Sequence, residues 1–184
     1  MTTPSKRHLF IPLAIIAFVV LFDQLTKIWA VDALTFNNSI EVIGQFFMFT
    51  LVYNEGGAMG TNLGSSNYYL ISASLILLFV LYYIYANRSK MMLSVPLSFI
   101  AGGAIGNLID RIAYGKVVDF IDVDFFDIDM FGYHLERWWT FNIADSAISC
   151  SIVYLLYLIL TKKLDVATDD DKTDEKQLRQ EEVQ

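Results

Sequence analysis

Asp119, in Lys116-Val-Val-Asp119-Phe-Ile-Asp122, and Asp145, in Phe141-Asn142-Ile-Ala-Asp145-Ser146, sit where long apolar segments meet more polar sequence. An acidic side chain at the edge of a bilayer is costly and marks a candidate functional site. Two that converge cannot both ionise freely, so they share a proton. One carboxylate then takes a proton from water while the other hydrogen-bonds a carbonyl oxygen, and the two roles exchange. Other amide chemistries lack their residues. His8 and His134 have no partner histidine for a zinc site or a Ser–His pair. Cys150 is the only cysteine, so no internal disulfide can form; its apolar surroundings suggest a small buried hydrophobe.

Further polar residues lie near the same segment ends. Asp23 and Lys27 are four apart and share a helix face, as a neutralising pair that lets the span insert or as support for a site. Asn54-Glu-Gly-Gly-Ala-Met-Gly60 could be an ordinary turn or a loop allowing close backbone approach. Gly102 and Gly106 form a small-xxx-small face for helix packing. Asn107, Asp110 and Arg111 follow on one face; Asp110 near a helix C-terminus needs a partner, either Arg111 or another site residue. Asn142 and Asp145 have capping-box spacing, which is compatible with a catalytic role. Asp122, Asp124, Asp127 and Asp129 lack the glycine and terminal glutamate of a calcium loop and read as a solvated acidic loop.

These residues must be carried by a membrane protein. The chain has 184 residues, 55% hydrophobic and 18% charged. A bilayer core needs roughly 20 mostly apolar residues per helix. Four spans qualify, at about 9–31, 68–86, 91–110 and 143–161. A secretory signal peptide at the start is disfavoured because Asp23 and Lys27 interrupt its apolar core. The stretch from Ser39 to Tyr53 is rich in β-branched and aromatic residues and predicts strands lying on the membrane surface. Ile121–Phe125 should be extended as well. The expected fold is mainly helical, four spans with a small β-rich cradle in residues 1–163, followed by a disordered acidic tail over 164–184. That tail holds eight acids and three bases, so it carries −5 of the net −7. No basic patch suggests nucleic acid.

The motifs together resemble the lipoprotein signal peptidase (signal peptidase II) family. The matching pieces occur in the family's order: Phe22-Asp23-Gln24-Leu-Thr-Lys27, Asn54-Glu-Gly-Gly-Ala58, Gly102-Gly-Ala-Ile-Gly-Asn107-Leu-Ile-Asp110-Arg111, Val117-Val-Asp119-Phe120 and Phe141-Asn142-Ile-Ala-Asp145-Ser146. Each piece alone is weak; the ordered set on four spans is specific. The resemblance implies a bacterial inner-membrane aspartyl endopeptidase that removes signal peptides from diacylglyceryl-modified prolipoproteins. It implies Asp119 and Asp145 as catalytic dyad, with Asp23, Lys27, Asn54, Gly56, Asn107, Asp110, Arg111, Asn142 and Ala144 lining or bracing the site. No metal or organic cofactor is implied; the partners are substrate and membrane lipid, and a monomer is expected. The chain departs from the family pattern at Gly57, Met59 and the acid-rich insert between the two aspartates.

Two other classes fit the residues alone. Asp23, Lys27 and Asp145 could form an ion relay, or the polar groups could only join helices in a structural subunit. Cleavage of a diacylated lipobox peptide by purified protein discriminates between these and a peptidase.

Orientation follows from the basic residues. Lys6 and Arg7, Arg88 and Lys90, and Lys162 and Lys163 all fall on one side, so both termini should be cytoplasmic. The longer loops, about 32–67 and 112–141, hold nine acids against Lys116 and Arg137 and should lie outside. An impermeant thiol reagent should therefore label a cysteine placed at Ser39 from outside and leave one at Ser89 untouched; the reverse pattern would reject this topology.

Overall fold

The computed structural model describes residues 7–57, 66–124, 128–130, 133–135, 137–161 and 163. Its elements in chain order are α1 (Arg7–Ala33), β1 (Ser39–Ile43), β2 (Phe47–Asn54), α2 (Ser66–Ala86), α3 (Met91–Tyr114), β3 (Val117–Val123), β4 (Ile128–Met130), β5 (Tyr133–Leu135) and α4 (Ile143–Leu160). Among the described residues, four helices are long and apolar enough to cross a membrane. The expected tail over 164–184 lies outside the described residues.

The helices expose apolar side chains and bury small ones. Phe18, Leu21, Leu78, Phe79, Val153 and Leu160 all point outward, as lipid rather than water demands. Helix α3 is the hub and packs against α1, α2 and α4. Its approach to two neighbours depends on glycines. A Cβ on Gly102 would lie 2.7 Å from the Val19 Cβ of α1, and one on Gly106 would lie 2.5 Å from the Asp23 carboxylate. A Cβ on Gly103 would lie 2.5 Å from the Ala144 carbonyl oxygen of α4. The small-residue face thus serves α1, while the intervening glycine seats α4.

Helix α3 extends further than its sequence suggested. It runs to Tyr114 and is closed by Gly115 at φ +73°, whose N–H bonds to the Arg111 carbonyl. Asp110 and Arg111 therefore sit within the helix and not at its end. Cys150 also departs from expectation. It is exposed and lines an apolar cavity of about 440 Å³ between α1, α3 and α4. An apolar residue in a span can face hydrocarbon, so apolar surroundings in sequence do not imply burial.

The Ser39–Tyr53 segment folds as the predicted strands. β1 and β2 form an antiparallel hairpin, and β3 adds to β2 in the order β1-β2-β3. The β4–β5 pair forms a separate hairpin. The three-stranded sheet docks on the end of α1 through Ala30, Leu34, Leu51, Val118 and Phe120. Trp29 closes this contact edge-on to Phe49, with ring centroids 5.0 Å apart. Strand β3 is thereby buried along most of its length, which fixes the side chains it presents to the helices.

Replacing Gly103 with alanine should push α3 and α4 apart and cost about 1–3 kcal/mol, the usual range for overpacking. The readout is the melting temperature of detergent-purified protein; an unchanged value would mean that the helices do not depend on this contact.

Candidate active site

The polar residues singled out in the sequence converge at one end of the bundle. Lys27 Nζ lies 2.9 Å from Asp23 Oδ2 and 2.9 Å from Asp110 Oδ2. It donates a third bond, of 2.9 Å, to Asn107 Oδ1. An ammonium has three N–H donors, so this set satisfies it without water. Lys27 is 3% exposed, Asp23 0% and Asp110 2%, so none of the three charges is available to bulk solvent. The partner that Asp110 required is Lys27 and not Arg111, because the helix continues and turns Arg111 elsewhere.

Each acid of this cluster also fastens another element. Asp23 Oδ1 accepts from the Ala144 N–H at the start of α4, at 2.9 Å. Asp110 Oδ2 accepts from the Val118 N–H of β3, at 3.1 Å. The cluster therefore joins α1, α3, α4 and β3. Ala144 is fully buried and packs where α3 carries Gly103 and Gly106; its contribution is a small side chain and a backbone donor.

Asn142 and Asp145 form the expected capping box at the start of α4. The Asn142 side-chain oxygen accepts from the Asp145 N–H at 2.9 Å, and Asp145 Oδ2 accepts from the Asn142 N–H at 3.3 Å. Asp145 Oδ1 accepts a further bond, of 2.8 Å, from Asn107 Nδ2. The capping geometry thus holds Asp145 in one orientation and leaves its carboxylate beside other acids.

Asp119 meets the same asparagine from the sheet. Asn142 Nδ2 donates to Asp119 Oδ1 at 2.7 Å and is shared with the Val118 carbonyl and Asn107 Oδ1. Asn54 Nδ2 donates to Asp119 Oδ2 at 3.2 Å. Register explains this second bond: Val52 pairs with Asp119 and Asn54 with Val117, so Asn54 is a diagonal neighbour of Asp119. Burial, and after it the charge of Asp145, raises the Asp119 carboxyl from 3.8 to about 7. The two asparagine bonds and the charge of Lys27 act the other way. Asp119 is thus a buried acid that can hold a proton near neutral pH, beside a second acid that two asparagines orient.

Arg111 turns away from the lysine cluster and donates to the Gly56 carbonyl at 3.0 Å. Gly56 in turn donates its N–H to Asn54 Oδ1 at 2.9 Å. The loop after β2 is therefore tied to α3 and braces the asparagine that holds Asp119. The charge of Arg111 also faces Asp145 and Asp119.

The sequence pattern described as signal peptidase (SPase) II matches residues 15–161. The chain belongs to the signal peptidase II family. It is 36% identical over 168 residues to a lipoprotein signal peptidase of Syntrophus aciditrophicus, covering 86% of this chain and 97% of that protein. A lipoprotein signal peptidase of Staphylococcus haemolyticus is 31% identical over 157 residues, covering 85% and 94%. A solved bacterial membrane enzyme structure is similar with a TM-score of 0.71 at 33% identity, covering 83% of this chain and 88% of that one. A second such structure has a TM-score of 0.68 at 34% identity, covering 81% and 92%.

In this member of the family, every site residue expected from the sequence is drawn into one connected network. Gln24 also belongs to it. Its Nε2 reaches Asp110 Oδ1 at 3.0 Å, Asp23 Oδ2 at 3.2 Å and the Gly106 carbonyl at 3.2 Å. A polar amide inside an apolar span was the available signal. The Val118 N–H has no signal in sequence at all, since every residue but proline carries one. The acidic loop is only partly as expected. Asp122 is 5% exposed and pairs with Arg137 Nε at 2.6 Å; it is not a solvated acid. Asp124 pairs more loosely with Arg137, at 3.4 Å. The side chains of Asp127 and Asp129 lie outside the described residues.

Lys27→Met should leave Asp23 and Asp110 buried without their cation, which costs about 3–5 kcal/mol for broken buried pairs. Thermal unfolding in detergent measures this, and a melting curve matching wild type would rule out the cluster as the joint between helices.

Proposed function

We propose that this chain is an aspartyl endopeptidase that removes signal peptides from diacylglyceryl-modified prolipoproteins, with Asp119 and Asp145 as its catalytic pair. The observation that carries this reading is the convergence of the two carboxylates on Asn142, one from a strand and one from a helix N-terminus. Family membership supports the substrate class. The ion-relay alternative loses support because Lys27 and Asp23 are closed into a saturated network.

In this mechanism a water is held between the carboxylates. The ionised one accepts its proton as the oxygen attacks the scissile carbonyl carbon. The protonated one donates to the carbonyl oxygen. The tetrahedral species then collapses, and a proton passes to the leaving nitrogen. The pair titrates as a unit, so the single shared proton belongs to both. The asparagines donate to all four carboxylate oxygens, and each oxygen keeps a further lone pair for water and substrate. Acyl chains in the bilayer hold the modified cysteine at headgroup depth, beside the bond to be cut. The basic clusters support a site on the outer face with both termini cytoplasmic. Among the described residues the network leaves no buried side-chain nitrogen or oxygen without a partner, and a monomer is taken as the active unit.

Asp119→Asn and Asp145→Asn should each lower kcat on a diacylated lipobox peptide by roughly 10³-fold or more, and the double variant should be little worse than either, because groups acting as a unit are non-additive. Asp32→Asn and Glu41→Gln change exposed acids and should keep wild-type rates. Since the Asp119 proton is lost as pH rises through about 7, kcat/KM should fall through that region. Turnover by either dyad variant at the wild-type rate would reject the aspartyl mechanism.

A further inference from the structure

We propose that Arg137 is a positioning residue for the catalytic pair: it clamps residues 137–142 against β3 and so sets where Asn142 stands between Asp119 and Asp145. The inference rests on the reading of those two aspartates as the pair that cuts the peptide.

The segment leading into α4 is fastened to β3 at three levels. At its start, Arg137 Nε donates to Asp122 Oδ1 at 2.6 Å. In the middle, Phe141 and Ile121 exchange backbone bonds of 3.0 and 2.8 Å, and the Phe120 N–H reaches the Phe141 carbonyl at 3.1 Å. At its end, Asn142 reaches Val118 and Asp119. Arg137 ties the start of this segment to two other elements, as Asn142 ties its end to β3 and α3. Its Nη2 donates to the Gln45 carbonyl in the β1–β2 turn at 2.7 Å, and its Nη1 reaches Asp124 at 3.4 Å. Asp122 also accepts the Thr50 hydroxyl at 2.7 Å, and Thr50 bonds Ser39 at 2.8 Å. A planar fork with several N–H donors suits this arrangement, and a lysine cannot reproduce it.

The clamp closes the base of the acid-rich insert. Asp124 stands at one end of that insert and Arg137 at the other. Tying the ends together lets the intervening residues vary without moving Asn142. The effect on the two aspartates is unequal. The bonds between Asn142 and Asp145 are local capping bonds within one turn and survive a shift of the segment. The bond from Asn142 to Asp119 crosses from one element to another and depends on docking. Loss of the clamp therefore removes a donor from Asp119 selectively. The other groups facing Asp119 stay in place: Asn54, the charge of Asp145 from α4, Lys27 from α1 and Arg111 from α3.

The test uses the full purified chain, a fluorogenic diacylated lipobox peptide, and the variants Arg137→Met, Arg137→Lys and Asp119→Asn. Arg137→Met should lower kcat by roughly 10-fold to 10²-fold, as small misplacements of reacting groups do. KM should change little, because Arg137 bonds protein groups. The alkaline limb of kcat/KM should move upward by about one unit, because a carboxylate that loses a donor holds its proton more tightly. Arg137→Lys keeps the charge and should fall between wild type and Arg137→Met in both readouts. A limb at the wild-type pH in Arg137→Met, or in Arg137→Lys should the methionine variant not fold, overturns the proposal; a rate loss that only follows the melting temperature marks a merely structural role. If Asp119→Asn is inactive while the limb stays fixed, the clamp alone is refuted. If Asp119→Asn turns over at the wild-type rate, the pair itself is refuted and the clamp with it.

Discussion

A single ammonium group, that of Lys27, must be satisfied where water cannot reach it. Its three acceptors come from Asp23, Asn107 and Asp110, on two helices that glycines bring into close contact. Removing any one partner would leave an ammonium N–H without an acceptor where water cannot reach it. The acids that neutralise the lysine also hold the Ala144 N–H of α4 and the Val118 N–H of β3. Three spans and the sheet are therefore positioned by the demands of one buried charge.

The elements divide the work around that point. Helices supply the frame, Asn107, Asn142 and Asp145; the sheet supplies Asp119 and Asn54. Strand β3 gains its precision from a small aromatic and aliphatic core on the end of α1, not from hydrogen bonds to the helices alone. Asn142 is the meeting place. Its oxygen caps α4 and its nitrogen holds the strand's aspartate, so a side chain that a helix needs for its own stability also relates the two carboxylates. Among the described residues no buried side-chain nitrogen or oxygen lacks a partner, which is the condition for a polar site at the edge of an apolar bundle to be rigid.

Much of this was legible in the residue pattern because membrane helices announce themselves by length and hydropathy. The polar residues that interrupt them had to find one another, and they do. Most of the errors share one cause: properties created by partners far away in sequence. Helix α3 continues past Asp110 because Lys27, on another helix, absorbs that charge. Asp122 reads as a solvated acid until Arg137 arrives, fifteen residues later. Gln24 stood beside Asp23 without an assigned role, since nothing local shows that it reaches Asp110 across the helix interface. Cys150 was misplaced for a different reason. Apolar surroundings mean burial in a water-soluble core, whereas in a span they are equally the signature of a surface that meets lipid.

The bond from the Ala144 N–H to Asp23 links residues 121 positions apart, and this has a consequence for biosynthesis. As the chain is made, α1 enters the membrane first with Asp23 and Lys27 already neutralising each other at four-residue spacing. Its carboxylate then keeps one oxygen open until α4, the last of the four described spans, arrives to fill it. Asp145 is delivered by that same helix, and Asn142 by the residue just before it. No partly synthesised chain can therefore assemble the two acids. On the proposed reading of these acids as the catalytic pair, the capacity to cut peptides therefore waits for α4.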